Sequence, residues 1–395
     1  MANLGIAMSI KDDVEIIKLN IDYHLNLGVK KIYILDFNST DGTRAVLEEY
    51  KNNDCVDLTY INQDIYPHLH LQKEMRCRLY DDDDVDLILH LDADEFLFLN
   101  NYTFDEFISF IRTDITYIRR FNVVPIEPLK KGLSKTVLEN VSKLLYFNTV
   151  MQEKSSDASI IDSREVFLSY LWSKRIISLG IPFEKDLIHE EKIHNYYPQS
   201  LLEWLQHSLV PPRLIHRKVP IRLDIGRHYA VSEMAGYADI PSYAFIAHFP
   251  MTSFKRFETK SNNIVKFIES HSEERIDSLS FHWKIHYLYH KHQLLDVKYN
   301  DLFMKKTQIK QKLINKELLT TDDIFQMKNG RGVTVSVGLP SWISEEEWIK
   351  DDILGDMDTV PYNSLPYITI LPQIIKDRSY FLHSKDDIIN DMFPS

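Results

Sequence analysis

DLILHLDADEF, residues 86–96, is an apolar run that stops abruptly in three carboxylates. The run has the length and composition of a buried strand. Carboxylates are costly in such surroundings unless a partner neutralises them. Asp92 and Asp94 are two residues apart, so in extended backbone both side chains point to one side and can share a hard cation that prefers oxygen ligands. The stretch therefore predicts a metal at a strand end; the alternative is a strand that merely runs into an acidic turn.

Short apolar strands alternate with helical patterns on the amino-terminal side of this stretch. The predicted strands are 5–10, 31–36 and 87–92, with a weaker candidate at 56–62. Apolar residues recur at helical spacing over 16–27 and stop at Gly28, and a second helix is predicted over 43–50. This alternation predicts an α/β fold with a doubly wound, mostly parallel sheet. In such sheets ligands bind beyond the carboxyl ends of the strands.

Polar residues collect at those carboxyl ends. The first strand is followed by Lys11-Asp12-Asp13, the second by DFNSTDGT at 36–43, and the third by Asp92 to Glu95. Hydrogen bonds from Asp36 and its neighbours can read a ribose or a uracil ring, although Asn, Ser, Asp and Gly are also ordinary turn residues. The three strand ends predict one site along one edge of the sheet.

The rest of the chain is predicted to elaborate this sheet. We expect residues 1–252 to form the domain that carries this site, with an insertion at about 127–212. Strand-like pieces return at 214–223 and 243–249. Residues 253–395 are expected to form a mainly helical carboxyl-terminal extension.

Composition excludes several classes of protein. A chain of 395 residues with 44% hydrophobic residues has enough apolar material for a large core. A net charge of −12 argues against a nucleic-acid partner, because phosphate binding needs a basic face. Two cysteines, Cys55 and Cys77, exclude a disulfide framework and fit a reducing compartment. With no apolar run of about 18 residues, we expect a cytoplasmic protein whose membrane contact, if any, is peripheral at the inner face.

Four motifs in this order resemble a known family. They are KDD at 11–13, YHLNLGV at 23–29, ILDFNSTDGT at 34–43 and LDADEF at 91–96. Together they are similar to family 2-like glycosyltransferases with a D-x-D-E-F signature. The resemblance covers residues 5 to about 125 and returns more weakly over 213–260. It departs from the family at Lys11-Asp12-Asp13, where Lys-Asn-Glu is usual.

The resemblance implies a GT-A-type fold, a nucleoside-diphosphate sugar donor, Mn²⁺ or Mg²⁺, and inversion at the anomeric carbon. A UDP-sugar is the expected donor, and a saccharide or glycolipid hydroxyl is the expected acceptor. Carried onto this chain, the implied donor contacts are Lys11, Asp36, Arg76 and Asp92. The implied metal ligands are Asp92 and Asp94 together with His228 or His248. We favour His228, because a loop histidine can swing onto a diphosphate whereas one inside an apolar run is more often a core residue.

Several points stay open. A carboxylate must take the proton of the acceptor hydroxyl, and spacing does not choose among the candidates. These are Glu184, Asp186, Glu190, Glu191, Asp224 and Glu233. A haloacid-dehalogenase-like phosphotransferase and a non-catalytic sugar-nucleotide-binding protein are the alternatives. The histidines at 282, 286 and 290 are expected on a half-exposed helix face, and Asp81 to Asp84 in a solvated turn.

Overall fold

The computed structural model describes residues 2–61, 82–112, 115–148, 213–218, 243–269 and 293–326, with shorter pieces between and beyond these ranges. The fold is mixed α/β. Its largest sheet has nine strands among the described residues, in the order β16-β15-β12-β6-β9-β4-β1-β2-β3. The described strands are β1 Leu4–Ile10, β2 Lys31–Phe37, β3 Val56–Ile61, β4 Leu87–Leu91, β5 Glu95–Leu99, β6 Ile115–Ile118, β7 Arg120–Asn122, β8 Leu145–Phe147, β9 Arg213–Arg217, β10 Ile221–Leu223, β11 Ala230–Ser232, β12 Gly236–Asp239, β13 Ala244–His248, β14 Leu318–Thr320, β15 Val335–Val337 and β16 Ile368–Ile370.

Parallel pairing dominates the amino-terminal part of this sheet. The pairs β1·β2, β1·β4 and β2·β3 are all parallel, and β9 joins β4 antiparallel. Strands β1 and β4 are buried along almost their whole length, as is typical of parallel strands that are covered on both faces. The predicted α/β fold with a parallel-rich sheet is therefore confirmed.

The described helices lie between these strands and after β13. They are α1 Ile17–Leu27, α2 Thr43–Glu48, α3 Phe104–Phe110, α4 Lys135–Glu139, α5 Phe254–Glu269, α6 Leu295–Leu302, α7 Lys306–Ile314 and α8 Thr321–Gln326. Gly28 ends α1 with φ of 120°, and a Cβ there would lie 2.8 Å from the Phe104 ring. Glycine is therefore required both by the backbone conformation and by the packing of α3. No helix in the part of the chain that the structure describes is long and apolar enough to cross a bilayer.

A second, three-stranded sheet carries the site residues. Strand β13 lies at its centre, antiparallel to β5 and parallel to β7. A further antiparallel pair, β8·β14, joins residues 145–147 to 318–320. The predicted domain boundary near residue 252 stays a prediction.

One expectation about the acidic stretch is wrong. Strand β4 ends at Leu91, and Ala93 and Asp94 form a turn before β5 begins at Glu95. The amide of Glu95 closes this turn by donating to the Asp92 carbonyl at 3.1 Å. The backbone here is not extended, so the two aspartates do not share a side for the reason that their spacing predicted.

Candidate active site

The register of the three-stranded sheet places His248 at the centre of the site. His248 is the last residue of β13 and lies opposite Glu95 on one side and Asn122 on the other. The next amide, that of Phe249, donates to the Asp94 carbonyl at 2.8 Å. Backbone pairing therefore fixes the acidic turn against the end of β13, and the side chains follow from it.

Asp94 is a buried carboxylate that faces three nitrogen groups. Arg256 Nη2 donates to its Oδ2 at 2.8 Å, Lys260 Nζ lies 3.6 Å from the same oxygen, and His248 Nε2 lies 3.5 Å from Oδ1. Burial opposes ionisation of Asp94, but the adjacent His248, Lys260 and Arg256 outweigh it and hold its pKa well below the usual range. Asp94 is therefore charged at neutral pH.

The orientation of the His248 ring is set by Asn122. Its Nδ1 lies 2.7 Å from Asn122 Oδ1 and donates to that oxygen. Burial lowers the pKa of His248 although the adjacent Asp94 acts in the opposite direction, so the neutral imidazole, with a lone pair on Nε2, is the form favoured at neutral pH. A lone pair and the Asp94 carboxylate oxygen thus face each other, which is the arrangement of two ligands around a shared cation.

A second carboxylate, that of the partly buried Asp13, shares the guanidinium of Arg256. Arg256 Nη2 lies 3.3 Å from Asp13 Oδ1, and Arg256 Nη1 also lies within hydrogen-bonding reach of the carbonyls of Phe249 and Pro250. Burial raises the pKa of Asp13 to about 6, with Arg256 acting in the opposite direction. Asp13 therefore changes charge close to neutral pH.

We expect Asp13→Asn to flatten the dependence of stability on pH. The pKa of Asp13 is about 6 in the fold against an ordinary value of 3.8, so the folded protein binds this proton more tightly than the unfolded chain does. The resulting stabilisation is complete below about pH 4 and is lost as the pH rises through about 6, on the order of 2 kcal/mol. Urea unfolding of the metal-free protein between pH 4 and 7 measures it. The exposed Asp54→Asn is the control, and an unchanged slope in Asp13→Asn contradicts the assignment.

A second network holds Glu95 and Asp92. Arg213 donates through Nε to Glu95 Oε2 at 2.6 Å and contacts the Asp92 carboxylate, while Arg120 Nη1 lies 2.5 Å from Glu95 Oε1. Burial alone would raise the pKa of Glu95, but the charges of Arg213 and Arg120 outweigh it and lower the pKa to about 2. The side chain of Asp92 is 42% exposed, so Arg213 fixes a carboxylate that solvent and ligands can reach.

The loops after β1 and β2 are locked to each other. Asp12 Oδ1 accepts from the Thr40 amide at 2.6 Å, and the Asp12 amide donates to Ser39 Oγ at 2.8 Å. Asn263 on α5 donates to Asp12 Oδ2 at 2.8 Å. These turn residues therefore hydrogen-bond one another, and they also line the same edge of the sheet.

Asp36 lies fully buried at the end of β2 beside Arg44. Arg44 Nε donates to its Oδ2 at 2.6 Å, and the guanidinium lies 5.3 Å from the centre of the Tyr60 ring. The other oxygen of Asp36 is buried and has no hydrogen-bond partner among the residues that are described. A buried acceptor without a donor is left unsatisfied, and a donor from a ligand or a water molecule would compensate it.

The structure places five of the predicted site residues on this edge. They are Lys11, Asp36, Asp92, Asp94 and His248. It brings Asp94 and His248 together, puts Asp92 in a separate network, and places the Lys11 amine 3.1 Å from the Phe37 carbonyl. Arg76, His228 and every candidate for the base lie outside the described residues. Within the described ranges, no three His, Cys, Asp or Glu side chains cluster as a metal site on their own.

Two further expectations need correction. His286 is not on a half-exposed face but is buried, with Nδ1 2.7 Å from Ser261 Oγ, and burial lowers its pKa to about 3. Asp82 is not merely solvated: its carboxylate is 13% exposed and lies 2.6 Å from Lys31 Nζ. In both cases a distant polar partner makes burial tolerable.

Sequence reasoning missed the cations of the site. Arg213 and Arg256 hold the carboxylates, Arg44 holds Asp36, and Asn122 orients His248. A buried acidic turn requires nearby cations, and the pair Arg256 and Lys260 follows the predicted strand with helical i, i+4 spacing. That spacing was the signal in the sequence from which cations of the site could have been predicted.

Comparisons with known proteins agree with the enzyme class. Residues 8–169 match a family model described as glycosyltransferase family 92, which is less than half of the chain. The match confirms the predicted class, a glycosyltransferase. The narrower label, family 2-like with a D-x-D-E-F signature, stays a prediction. No curated protein matches the chain.

Solved structures give weaker likenesses. TarS 1-349 from S. aureus has 12% sequence identity and a TM-score of 0.33 over 80% of this chain and 88% of that chain. The same TarS piece in complex with UDP-GlcNAc has 12% identity and a TM-score of 0.32, with the same coverage. Glucosyl-3-phosphoglycerate synthase from Mycobacterium tuberculosis, in complex with Mn²⁺, UDP and phosphoglyceric acid, has 14% identity and a TM-score of 0.22 over 35% of this chain and 49% of that chain. Structural similarity at these TM-scores supports no argument about this chain.

Proposed function

We propose that this glycosyltransferase, of GT-A type, moves a sugar from a nucleoside-diphosphate donor to a saccharide hydroxyl with the help of a divalent metal ion. One observation carries the proposal: Asp94 Oδ1 and His248 Nε2 face each other at 3.5 Å. Two acceptor atoms repel at this distance unless a cation or a shared proton lies between them, and a divalent ion is the cation that we propose. Ligands of one octahedral ion with bonds of about 2.1 Å are roughly 3 Å apart, so a small closure of the pair suits Mn²⁺ or Mg²⁺.

The chemistry of the surrounding residues fits such an ion. A carboxylate and a neutral imidazole are suitable ligands for Mn²⁺. Asn122 fixes the orientation of the imidazole through its other ring nitrogen, Nδ1. The two side chains leave positions for a diphosphate and for water. When bound, the ion neutralises charge on the diphosphate as a Lewis acid and holds it in place. Asp92, exposed beside the same turn, is proposed to contact the ribose or a water molecule at the ion.

The nucleoside is proposed to lie at the end of β2. Asp36 offers a buried oxygen that lacks a donor, and uracil has an imide N–H that suits it. Arg44 holds this carboxylate in place. Lys11 lies next to the same strand end, at the Phe37 carbonyl. A UDP-sugar is therefore the donor that we propose first.

Other parts of the proposal rest on sequence alone. They are Arg76 as a donor contact, inversion at the anomeric carbon, a saccharide or glycolipid acceptor, a cytoplasmic location and peripheral membrane contact. The base is proposed among the carboxylates at 184, 186, 190, 191, 224 and 233.

A panel of sugar nucleotides tests the function. UDP-, GDP- and dTDP-sugars are titrated into the protein with Mn²⁺ and with EDTA, and donor turnover is followed in parallel. We expect metal-dependent binding of the UDP-sugars and slow release of UDP as the sugar is transferred to water or to an added saccharide. Binding without any turnover would indicate a non-catalytic sugar-nucleotide-binding protein, and no metal-dependent binding in the panel would refute the proposal.

The choice of histidine is a separate prediction. The sequence favours His228, but His248 Nε2 lies 3.5 Å from Asp94 Oδ1, so we propose His248 as the ligand. In the presence of UDP, we expect His248→Ala to lower Mn²⁺ affinity by about 100-fold or more, since it removes a ligand, and His228→Ala to change it little. Calorimetric Mn²⁺ titrations of both variants decide the matter. A loss in His228→Ala alone would restore the first choice.

A further inference from the structure

Helix α5 lays one polar face across the acidic strand ends. Arg256, Lys260 and Asn263 lie four and three residues apart, which puts them on the same side of the helix. Arg256 bonds Asp94, Lys260 lies near it, and Asn263 bonds Asp12. This face, which we call the α5 polar face, therefore lies against the loops after β1 and β4.

Lys260 differs from the other two members of the α5 polar face. Arg256 is 7% exposed and its guanidinium lies close to Asp13, Asp94 and two carbonyls. The side chain of Lys260 is 34% exposed, and its Nζ lies 3.6 Å from an Asp94 oxygen that Arg256 already bonds at 2.8 Å. That separation exceeds a hydrogen bond. A lysine ammonium on a flexible stem can therefore turn to another anion at small cost.

Charge around Asp94 indicates which anion this is. Asp13 and Asp94 together carry two negative charges when ionised, and Arg256 and Lys260 carry two positive charges. The neighbouring network of Asp92, Glu95, Arg120 and Arg213 balances in the same way. A divalent ion at Asp94 and His248 would leave an excess of two positive charges. The diphosphate of a sugar nucleotide carries two negative charges.

We propose that Lys260 binds the diphosphate of the donor, an inference that rests on the proposed function. Its ammonium turns away from Asp94 Oδ2, which stays bonded to Arg256. It then donates to phosphate oxygens of the nucleotide held at the metal ion. Arg256 stays buried and keeps Asp94 in place, so the two cations of α5 have different tasks. The alternative is that Lys260 only balances the charge of Asp94.

Binding of nucleotides to the full chain distinguishes these roles. UDP and uridine, and alongside them GDP and guanosine, are titrated into the wild type and Lys260→Met with Mn²⁺ present. For the diphosphate that the wild type binds, we expect Lys260→Met to lower affinity by roughly 10-fold or more, because a charge-assisted hydrogen bond is lost. The matching nucleoside should bind equally to both proteins, which also shows that the variant is folded. Lys266→Met, an exposed lysine of the same helix, is the matched control.

The outcomes separate this inference from the proposed function. Equal diphosphate affinity in the wild type and Lys260→Met overturns the role of Lys260 and leaves the function standing. Equal losses of diphosphate and nucleoside affinity also overturn it, since they point to a general effect on the fold. Failure of the wild type to bind either diphosphate refutes both. Lys260→Arg keeps the charge and is expected to stay within a few-fold of the wild type.

Discussion

Asp94→Asn is expected to abolish sugar transfer and metal-dependent donor binding. The amide keeps the shape of the side chain but loses the negative charge that faces Arg256, Lys260 and His248. Without that charge a divalent ion loses one ligand and meets two cations instead. Loss of residues that merely support metal ligands costs 10-fold to 100-fold, so loss of the ligand itself should cost about 100-fold or more.

The measurement for Asp94→Asn is donor turnover at saturating Mn²⁺, with donor affinity measured with and without the metal. The exposed Asp84→Asn serves as the control for a loss of one negative charge near the sheet. Retained binding of the free nucleoside shows that the variant is folded, because Asp36 lies on strand β2 and not in the turn of Asp94. Unchanged turnover in Asp94→Asn would remove the metal from this turn.

The sheet could be predicted closely because its signals are local. Strands predicted at 5–10, 31–36, 56–62 and 87–92 are observed at Leu4–Ile10, Lys31–Phe37, Val56–Ile61 and Leu87–Leu91. Each is a short apolar run bounded by turn residues, a pattern that predicts a strand whichever strands lie beside it. The end of the first helix at Gly28 was equally local, since it needs only a glycine after the last periodic residue.

The site was predicted only in part, because its partners come from far along the chain. Glu95 and Arg213 are separated by 118 residues, and Asp94 and Arg256 by 162. Local spacing shows that a buried carboxylate needs a cation, but not which of the chain's basic residues supplies it. The turn at Asp94 was predicted only as the alternative, because two carboxylates at i and i+2 look alike in a strand and in a turn.

Arg213→Met is expected to be the most destabilising of the substitutions proposed for this chain. Arg213 is 1% exposed and pairs with Glu95, which is fully buried, and with Asp92. Methionine fills much of the same space, but it leaves the Glu95 carboxylate with Arg120 as its one remaining cation among the described contacts. Breaking a buried ion pair from one side costs about 3–5 kcal/mol, a large part of the roughly 5–15 kcal/mol that stabilises a typical domain.

Urea unfolding of Arg213→Met, Glu95→Gln and the double variant tests this pairing. Arg217→Met is the matched control: it lies on the same strand and bonds the Ile111 carbonyl at 3.0 Å, so its loss should cost only about 1 kcal/mol. Since both single variants break the same ion pair, the double variant should be less destabilised than their sum by about 1–3 kcal/mol. Strict additivity would mean that Arg213 and Glu95 do not interact directly. Lower donor affinity in Arg213→Met at a temperature where it is folded would further show that this arginine also positions Asp92 for the donor.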